Sequence, residues 1–278
     1  MSLLQILILA VIQGATELLP VSSSAHVIVA EKLMGLDPTA PQMTLLLVML
    51  HTGTMFAVIA YFWRSWRADY FSSMAAFRSN ALLVVIATAL TGVVGLALLQ
   101  LIKTVVAHNS PDFQIEVLFG NARLISVALG ATGLLIIVSS RAPERGRDFT
   151  LGGAAWVGAV QGLCLPFRGF SRSGATISTA LLVGVQRRRA ELFSFALAVV
   201  LTPPVIAREG YRLYHAIGAS SGAAQLSQAV APSLVGMTLS FVAGLAALRW
   251  LSRWLERGRW HWFGVYCIAA GVVVRFIG

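Results

Sequence analysis

Three side chains that could together carry out phosphoryl transfer lie close to one another near the start of the chain: Glu17, Ser23 and His26. A serine hydroxyl can attack phosphorus and a histidine that titrates near neutrality can accept its proton, while a carboxylate can orient the histidine or hold a divalent cation. Pro20 ends one helix and Ser22 is a natural N-cap for the next, so Ser23 and His26 share a helical face. Helix capping alone would also explain the serines, and packing in the protein interior would explain the histidine. A glutamate in apolar sequence nevertheless favours a catalytic site.

The segment around Glu17 has a counterpart later in the chain. Gln13-Gly14 and Gln161-Gly162 stand 148 residues apart (161 − 13), and each is followed by a Leu-Pro step and a serine-rich stretch. Both segments interrupt apolar sequence with polar residues and a proline. In a membrane protein, paired broken helices of this kind predict an inverted repeat, with a binding site near the bilayer midplane where the two halves meet.

The second segment offers groups that bind anions. Arg172 presents a planar fork of donors suited to phosphate oxygens, and the nearby serines and glycines predict a capped helix N-terminus that a ligand can approach closely. Two helix N-termini and a guanidinium at one point suit a multiply charged anion such as a diphosphate. In an alternative interpretation, Arg172 only pairs with Glu17 and holds the two halves together. The further candidates for substrate contact are Gln13, Ser22, Ser24, Arg168, Gly169, Ser171, Ser173, Gly174 and Thr176.

The composition is that of an integral membrane protein. Hydrophobic residues make up 57% of the 278 residues and charged residues 12%, which is about half the charged fraction of a soluble domain. The apolar residues run in blocks long enough to cross about 30 Å of hydrocarbon. The net charge of +10 comes from short basic clusters between these blocks, which is typical of membrane topology, so we expect no nucleic-acid partner.

The spacing of the apolar blocks predicts an all-α polytopic membrane protein with six transmembrane helices and two inverted re-entrant helical hairpins. The hairpins, at about 3–35 and 150–186, are broken in the middle, and neither half of either is long enough to span the bilayer. We expect a single integral membrane domain over residues 1–278, with one repeat at about 1–139 and an inverted one at about 150–278. The predicted spans are about 41–63, 80–103, 115–139, 188–208, 229–252 and 260–277.

The distribution of basic residues predicts the orientation. With six spans, the loops at 64–79, 140–187 and 249–259 fall on one side and are rich in arginine, whereas 104–114 contains no Arg or Lys and 209–228 contains one. The basic side is the cytoplasmic one. In a bacterial inner membrane, both termini would then be periplasmic, the first hairpin would enter from the periplasm, and the site would open to that side.

The two polar segments resemble the motifs of a known family. The run Pro20-Val21-Ser22-Ser23-Ser24-Ala25-His26 after Glu17, and the run from Gly169 to Thr176, are similar to those of the bacitracin-resistance type of undecaprenyl-diphosphate phosphatase. The resemblance covers nearly the whole chain in length and span order, and two motifs at this separation are highly specific. It implies the same six spans and two hairpins, and hydrolysis of undecaprenyl diphosphate to undecaprenyl phosphate and phosphate, which recycles the lipid carrier for peptidoglycan synthesis.

The resemblance also implies roles for individual residues. Glu17 would be the acidic catalytic or metal-linked residue, Ser23 the nucleophile and His26 its acid/base partner. The phosphate-binding residues would be Arg172, Ser171, Ser173 and Thr176.

The chain departs from the family pattern at two points. Gln13 stands where the family accepts Glu or Gln, and with one carboxylate fewer we expect only a loosely bound Mg²⁺ or Ca²⁺, bridging Glu17 and the diphosphate. The turn before Ser171 is one residue longer than in many members, which leaves the role of Arg168 open. His51 lies inside the first span and could line the cavity.

Two other function classes remain compatible with the sequence. A transporter or flippase of a phosphorylated polyprenyl lipid would use the same inverted repeat but would need no nucleophile such as Ser23. A membrane scaffold would leave Glu17 and Arg172 unexplained unless they pair only with each other. The expected partners are the polyprenyl diphosphate substrate, membrane lipid and, in a homodimer, a second copy of the chain.

Overall fold

The protein is built of α-helices. The computed structural model describes residues 2–37, 40–105, 121–143, 145–167, 169–218 and 223–277, and within these ranges the chain forms ten helices. In chain order they are α1 (Leu3–Leu18), α2 (Ser23–Leu33), α3 (Pro41–Asp69), α4 (Met74–Val105), α5 (Ala122–Ser140), α6 (Leu151–Leu163), α7 (Arg172–Leu182), α8 (Arg187–Gly218), α9 (Ala223–Glu256) and α10 (His261–Ile277). The predicted all-α class is confirmed.

Among the described residues, five helices are long and apolar enough to cross a membrane. They are α3, α4, α5, α8 and α9, and they match the first five predicted spans, except that residues 115–120 of the third lie outside the described part of the chain. The sixth predicted span is α10, which is apolar but has only 17 residues. The structure therefore confirms a polytopic membrane protein, while the count of six spans and two hairpins stays a prediction.

Each region predicted as a hairpin forms a pair of short helices. α1 and α2 contain 16 and 11 residues, and α6 and α7 contain 13 and 11. At 1.5 Å per residue, none of them reaches across about 30 Å of hydrocarbon. α1 begins at a capping box on Ser2 and ends where Leu19, the residue before Pro20, becomes extended. α6 is capped by Thr150 and ends shortly before Pro166.

The first helix of each pair packs against the other half of the chain. α1 lies against α9, and α6 lies against α4, while α3 packs on α8 and α5 on α10. The main hydrophobic core lies where α3, α7, α8 and α9 meet, around Phe62, Ile177, Phe195 and Leu248. The exchange of α1 and α6 is the arrangement that an inverted repeat would give; the repeat boundaries themselves stay a prediction.

Glycines let these exchanged helices approach their partners at the level of the main chain. A Cβ atom on Gly158 of α6 would lie 2.2 Å from the carbonyl oxygen of Ala87 on α4. The hydroxyl of Thr91 donates to the Gly158 carbonyl at 3.0 Å. In the contact of α1 with α9, a Cβ on Gly14 would lie 2.6 Å from the carbonyl oxygen of Ser240. Small residues at a membrane helix contact permit this close approach, which fixes where both α1 and α6 sit.

We expect Gly158→Ala to lower the melting temperature of the detergent-solubilised protein. The added methyl group must push α6 away from α4, and overpacking of this kind costs about 1–3 kcal/mol. Gly92→Ala on α4 is the matched control, because a Cβ there would meet nothing within 4 Å and alanine favours a helix. Thermal unfolding followed by tryptophan fluorescence compares the two variants. Equal melting temperatures would contradict a main-chain contact between α6 and α4.

Candidate active site

The tips of the two hairpins meet at the carboxylate of Glu17. Arg172 Nη2 donates to Oε1 at 2.9 Å, while Ser23 Oγ and Gln13 Nε2 donate to Oε2 at 2.5 and 3.3 Å. Ser23 is the first residue of α2 and Arg172 the first residue of α7. Three of the residues named from the sequence, contributed by both hairpins, therefore lie around the carboxylate of a fourth.

Arg172 and Glu17 form the ion pair that the alternative interpretation expected. Their side chains are 22% and 17% exposed, so the pair is partly accessible. The other amino group of Arg172, Nη1, is buried and has no hydrogen-bond partner among the described residues. Because a guanidinium is a fork of several donors, Arg172 can hold Glu17 and still donate to an anion.

The helix N-termini at the site differ in how they are capped. Ser171 caps α7, with its Oγ accepting from the Gly174 N–H at 3.2 Å. Ser22 occupies the N-cap position of α2 but makes no side-chain cap, and its φ of 66° and ψ of 95° place it in an unusual backbone conformation. The first N–H groups of a helix have no partner within the helix, so this end of α2 can bind an anion.

His51 on α3 faces the same carboxylate as Ser23. Its Nε2 lies 3.9 Å from Glu17 Oε2, and its Nδ1 lies 2.8 Å from the carbonyl oxygen of Leu47. A carbonyl oxygen can only accept, so Nδ1 carries a hydrogen and donates it there. His51 thus lies beside the Ser23–Glu17 contact, as Arg172 does. A histidine inside the first predicted span was the feature of the sequence that indicated a place in the cavity.

His26 points away from Ser23. Its Nδ1 lies 2.8 Å from the carbonyl oxygen of Ser22, and its Nε2 lies 2.7 Å from the hydroxyl of Tyr266 on α10. The structure therefore does not contain the predicted contact between His26 and Ser23. The Ser23 hydroxyl donates its hydrogen bond to Glu17 instead. A spacing of three residues fixes the helical face but not the direction of the ring, and no sequence pattern points to Tyr266, 240 residues further on.

The other hydroxyls of the second segment are turned into the protein. Ser173 Oγ donates to the carbonyl oxygen of Leu19 at 3.2 Å, which ties the two hairpin tips together. Thr176 is fully buried, and its Oγ1 lies 2.6 Å from Ser194 Oγ on α8. These contacts position α7, while phosphate binding by Ser173 and Thr176 stays a prediction.

The two glycines named for substrate contact approach α5. Gly169 has a φ of 112°, and a Cβ there would lie 2.6 Å from the carbonyl oxygen of Ile125. A Cβ on Gly174 would lie 2.9 Å from Thr132 Cγ2. Both glycines therefore allow a close approach to a neighbouring helix, while their contact with substrate stays a prediction. Of the remaining candidates, Ser24 is partly buried in the first turn of α2, and Arg168 lies outside the described residues.

The residues around Glu17 do not fit a metal ion held by the protein alone. The described part of the chain contains no group of three or more His, Cys, Asp and Glu side chains that could hold one. Glu17 is the one carboxylate in the cluster, and it already accepts from Arg172, Ser23 and Gln13. A divalent cation would have to take most of its oxygen ligands from elsewhere.

Comparisons with known proteins place the chain in a family. The sequence model of the family described as "Bacitracin resistance protein BacA" matches residues 6–273. The "Undecaprenyl-diphosphatase 2" of Acinetobacter baylyi is 60% identical over 279 residues, covering 99% of this chain and 98% of the relative. The "Undecaprenyl-diphosphatase 2" of Burkholderia orbicola is 34% identical over 98% of this chain and 95% of the relative. The "Undecaprenyl-diphosphatase" of an Anaeromyxobacter species is 35% identical over 100% of this chain and 88% of the relative.

Proposed function

The chain belongs to the bacitracin resistance protein BacA family, and from this membership and the site we propose that it hydrolyses undecaprenyl diphosphate to undecaprenyl phosphate and inorganic phosphate. The relatives that share its full length are undecaprenyl-diphosphatases. The product is the lipid carrier of peptidoglycan synthesis, and its recovery from the diphosphate form connects the activity with the bacitracin resistance in the family's name.

One observation carries the chemical part of the proposal. Ser23 and Arg172 come from different hairpins, yet they contact the two oxygens of one carboxylate, Glu17. A nucleophile, a proton acceptor and a guanidinium are thereby held together beside two helix N-termini. This combination suits the transfer of a phosphoryl group from an anionic substrate.

The reaction follows from these positions. Arg172 and the N-terminal N–H groups of α2 hold the terminal phosphate, and Ser23 Oγ attacks its phosphorus. The Ser23 proton passes to Glu17 Oε2, which already accepts it in a hydrogen bond of 2.5 Å. The bond from phosphorus to the bridging oxygen breaks, Glu17 passes its proton to that oxygen, and undecaprenyl phosphate leaves. Water then attacks the phosphorus of the phosphoserine and gives a proton to Glu17. The bond from phosphorus to Ser23 Oγ breaks, Glu17 returns the proton to Ser23, and inorganic phosphate leaves.

A divalent cation remains a proposal in this scheme. With Glu17 as the one carboxylate of the cluster, Mg²⁺ or Ca²⁺ would have to be carried largely by the diphosphate oxygens. Its contribution would be neutralisation of phosphate charge. Titration of either cation into chelator-treated enzyme tests the requirement, and full activity in the presence of excess chelator would rule it out.

The activity is tested with the purified protein in detergent and a polyprenyl diphosphate. We expect release of inorganic phosphate and accumulation of the monophosphate lipid. A flippase would instead bind the lipid without releasing phosphate, and in proteoliposomes it would move a labelled polyprenyl phosphate between leaflets. Lipid movement without phosphate release would reject the phosphatase function.

We further propose that the site lies in the bacterial inner membrane and opens to the periplasm. Arginines cluster where α3 meets α4 (Arg64, Arg67 and Arg78) and where α9 meets α10 (Arg253, Arg257 and Arg259), which supports a cytoplasmic location for these two junctions. Spheroplasts that contain the protein should hydrolyse an added short-chain prenyl diphosphate that cannot cross the membrane, whereas sealed inverted vesicles should not. The reverse result would place the opening on the cytoplasmic side. A homodimer stays a prediction, which light scattering of the purified protein tests.

A further inference from the structure

His26 is held by two partners that leave it no means of accepting the Ser23 proton. The carbonyl oxygen of Ser22 can only accept, so His26 Nδ1 carries a hydrogen and donates it at 2.8 Å. In the neutral ring, Nε2 then carries the lone pair, and the Tyr266 hydroxyl donates to it at 2.7 Å. The two rings also stack, with centroids 5.7 Å apart and planes 12° from parallel. Both ring nitrogens are therefore engaged.

The carbonyl that His26 holds belongs to the one described residue other than glycine with a positive φ. Ser22 has a φ of 66°, a conformation that is unfavourable for a residue with a side chain. α2 has no side-chain cap that would stabilise the turn from within. The hydrogen bond from His26 Nδ1 acts on the peptide group between Ser22 and Ser23, and Ser23 is the residue whose Oγ reaches Glu17. The orientation of that peptide decides where Ser23 points.

We propose that His26 is a positioning residue that clamps the Ser22–Ser23 turn, and that Tyr266 is a second positioning residue that orients His26 from α10. The inference rests on the phosphatase function proposed above. Within that function, it changes the role of His26 from proton acceptor to positioning residue. Tyr266 fixes the ring so that Nδ1 faces the Ser22 carbonyl, and the clamp keeps Ser23 against Glu17. Glu17, not His26, takes the proton in this arrangement.

Asparagine and glutamine at position 26 separate a clamp from a proton acceptor. The amide nitrogen of asparagine lies where Nδ1 lies, so His26→Asn retains a donor to the Ser22 carbonyl. The amide of glutamine lies near Nε2, so His26→Gln loses that donor while remaining polar. We expect His26→Asn to keep kcat within about threefold of the unaltered enzyme. His26→Gln should lower kcat about 100-fold with a small change in KM, since displacement of a reacting group by about 1 Å costs this much.

The same pair of variants gives the result that would overturn the clamp. If His26 transferred a proton, both amides would remove that function alike, and both would lower kcat about 100-fold or more. If His26→Gln does not fold, His26→Asn decides alone: kcat near that of the unaltered enzyme supports the clamp, and a loss of about 100-fold overturns it. If the unaltered enzyme releases no phosphate at all, the proposed function fails before the clamp is tested.

Tyr266→Phe tests the second positioning residue. Loss of one neutral hydrogen bond at Nε2 should lower kcat about threefold, which is the loss that His26→Asn also incurs by removing Nε2. Because Tyr266 acts only through Nε2, the same substitution in the His26→Asn background should cause no further loss. Tyr61→Phe is the matched control, since the Tyr61 hydroxyl donates to Ser252 at 3.0 Å outside the site and its removal should leave kcat unchanged. Equal kcat values for Tyr266→Phe and Tyr61→Phe, or a full further loss in the double variant, would overturn the assignment of Tyr266.

Discussion

Replacing Ser23 with alanine is expected to lower kcat for phosphate release from a polyprenyl diphosphate by about three orders of magnitude or more. The variant lacks the oxygen that attacks phosphorus, and what remains is charge stabilisation by Arg172 and the helix N-termini acting on water. Because those binding groups are retained, KM should change little. Phosphate release by the purified variant, measured beside a thermal-unfolding curve, separates lost chemistry from lost folding.

A serine outside the site provides the control for this prediction. Ser79 is exposed near the beginning of α4, and Ser79→Ala should retain full activity. If Ser23→Ala kept its activity within about tenfold of the unaltered enzyme, water rather than Ser23 would be the nucleophile. The 2.5 Å contact between Ser23 and Glu17 would then serve only to orient the carboxylate.

Arg172→Lys is expected to lower kcat/KM about 100-fold while leaving the fold intact. A lysine can still reach Glu17 as a point charge, so the tie between the hairpins should persist and the melting temperature should fall by no more than a few degrees. It cannot donate to Glu17 and to a phosphate oxygen from one rigid planar group, as the several N–H donors of the Arg172 guanidinium can. The loss should therefore appear in catalysis and not in stability.

The same substitution decides between a phosphate site and a purely structural ion pair. If Arg172 only held the two hairpins together, Arg172→Lys would retain nearly full activity. Arg189→Lys is the matched control, because Arg189 lies in the first turn of α8 and its described ion-pair partners are Asp69 and Asp148. We expect that variant to hydrolyse substrate at the rate of the unaltered enzyme.

The elements of the fold were predictable because prolines and apolar block lengths determine them. Pro20 and Pro166 each divide an apolar region into two parts, and each part is too short to span the bilayer. The structure has a pair of short helices at both places. The meeting of Glu17 with Arg172 was also open to prediction, since two unlike charges in apolar surroundings need each other. The prediction of the helix pairs depends on local composition, and the prediction of the Glu17–Arg172 contact depends on charge balance.

The direction of the site side chains was not predictable, because contacts distant in sequence decide it. His26 shares a helical face with Ser23, but the backbone of Ser22 and the hydroxyl of Tyr266 turn its ring elsewhere. In the same way, a glycine such as Gly169 signals a close approach without saying what approaches. Here it is the main chain of Ile125 on α5.

The exchange of α1 and α6 between the two halves has a consequence for the history of such a chain. Each of these helices is seated through its glycines on a helix from the opposite half, α1 on α9 and α6 on α4. With the predicted repeat boundaries, an ancestral gene encoding one half would yield a product that lacks the helix on which its own broken helix packs. Such a product would need a second copy in the opposite orientation, and fusion into one polypeptide would supply that copy permanently.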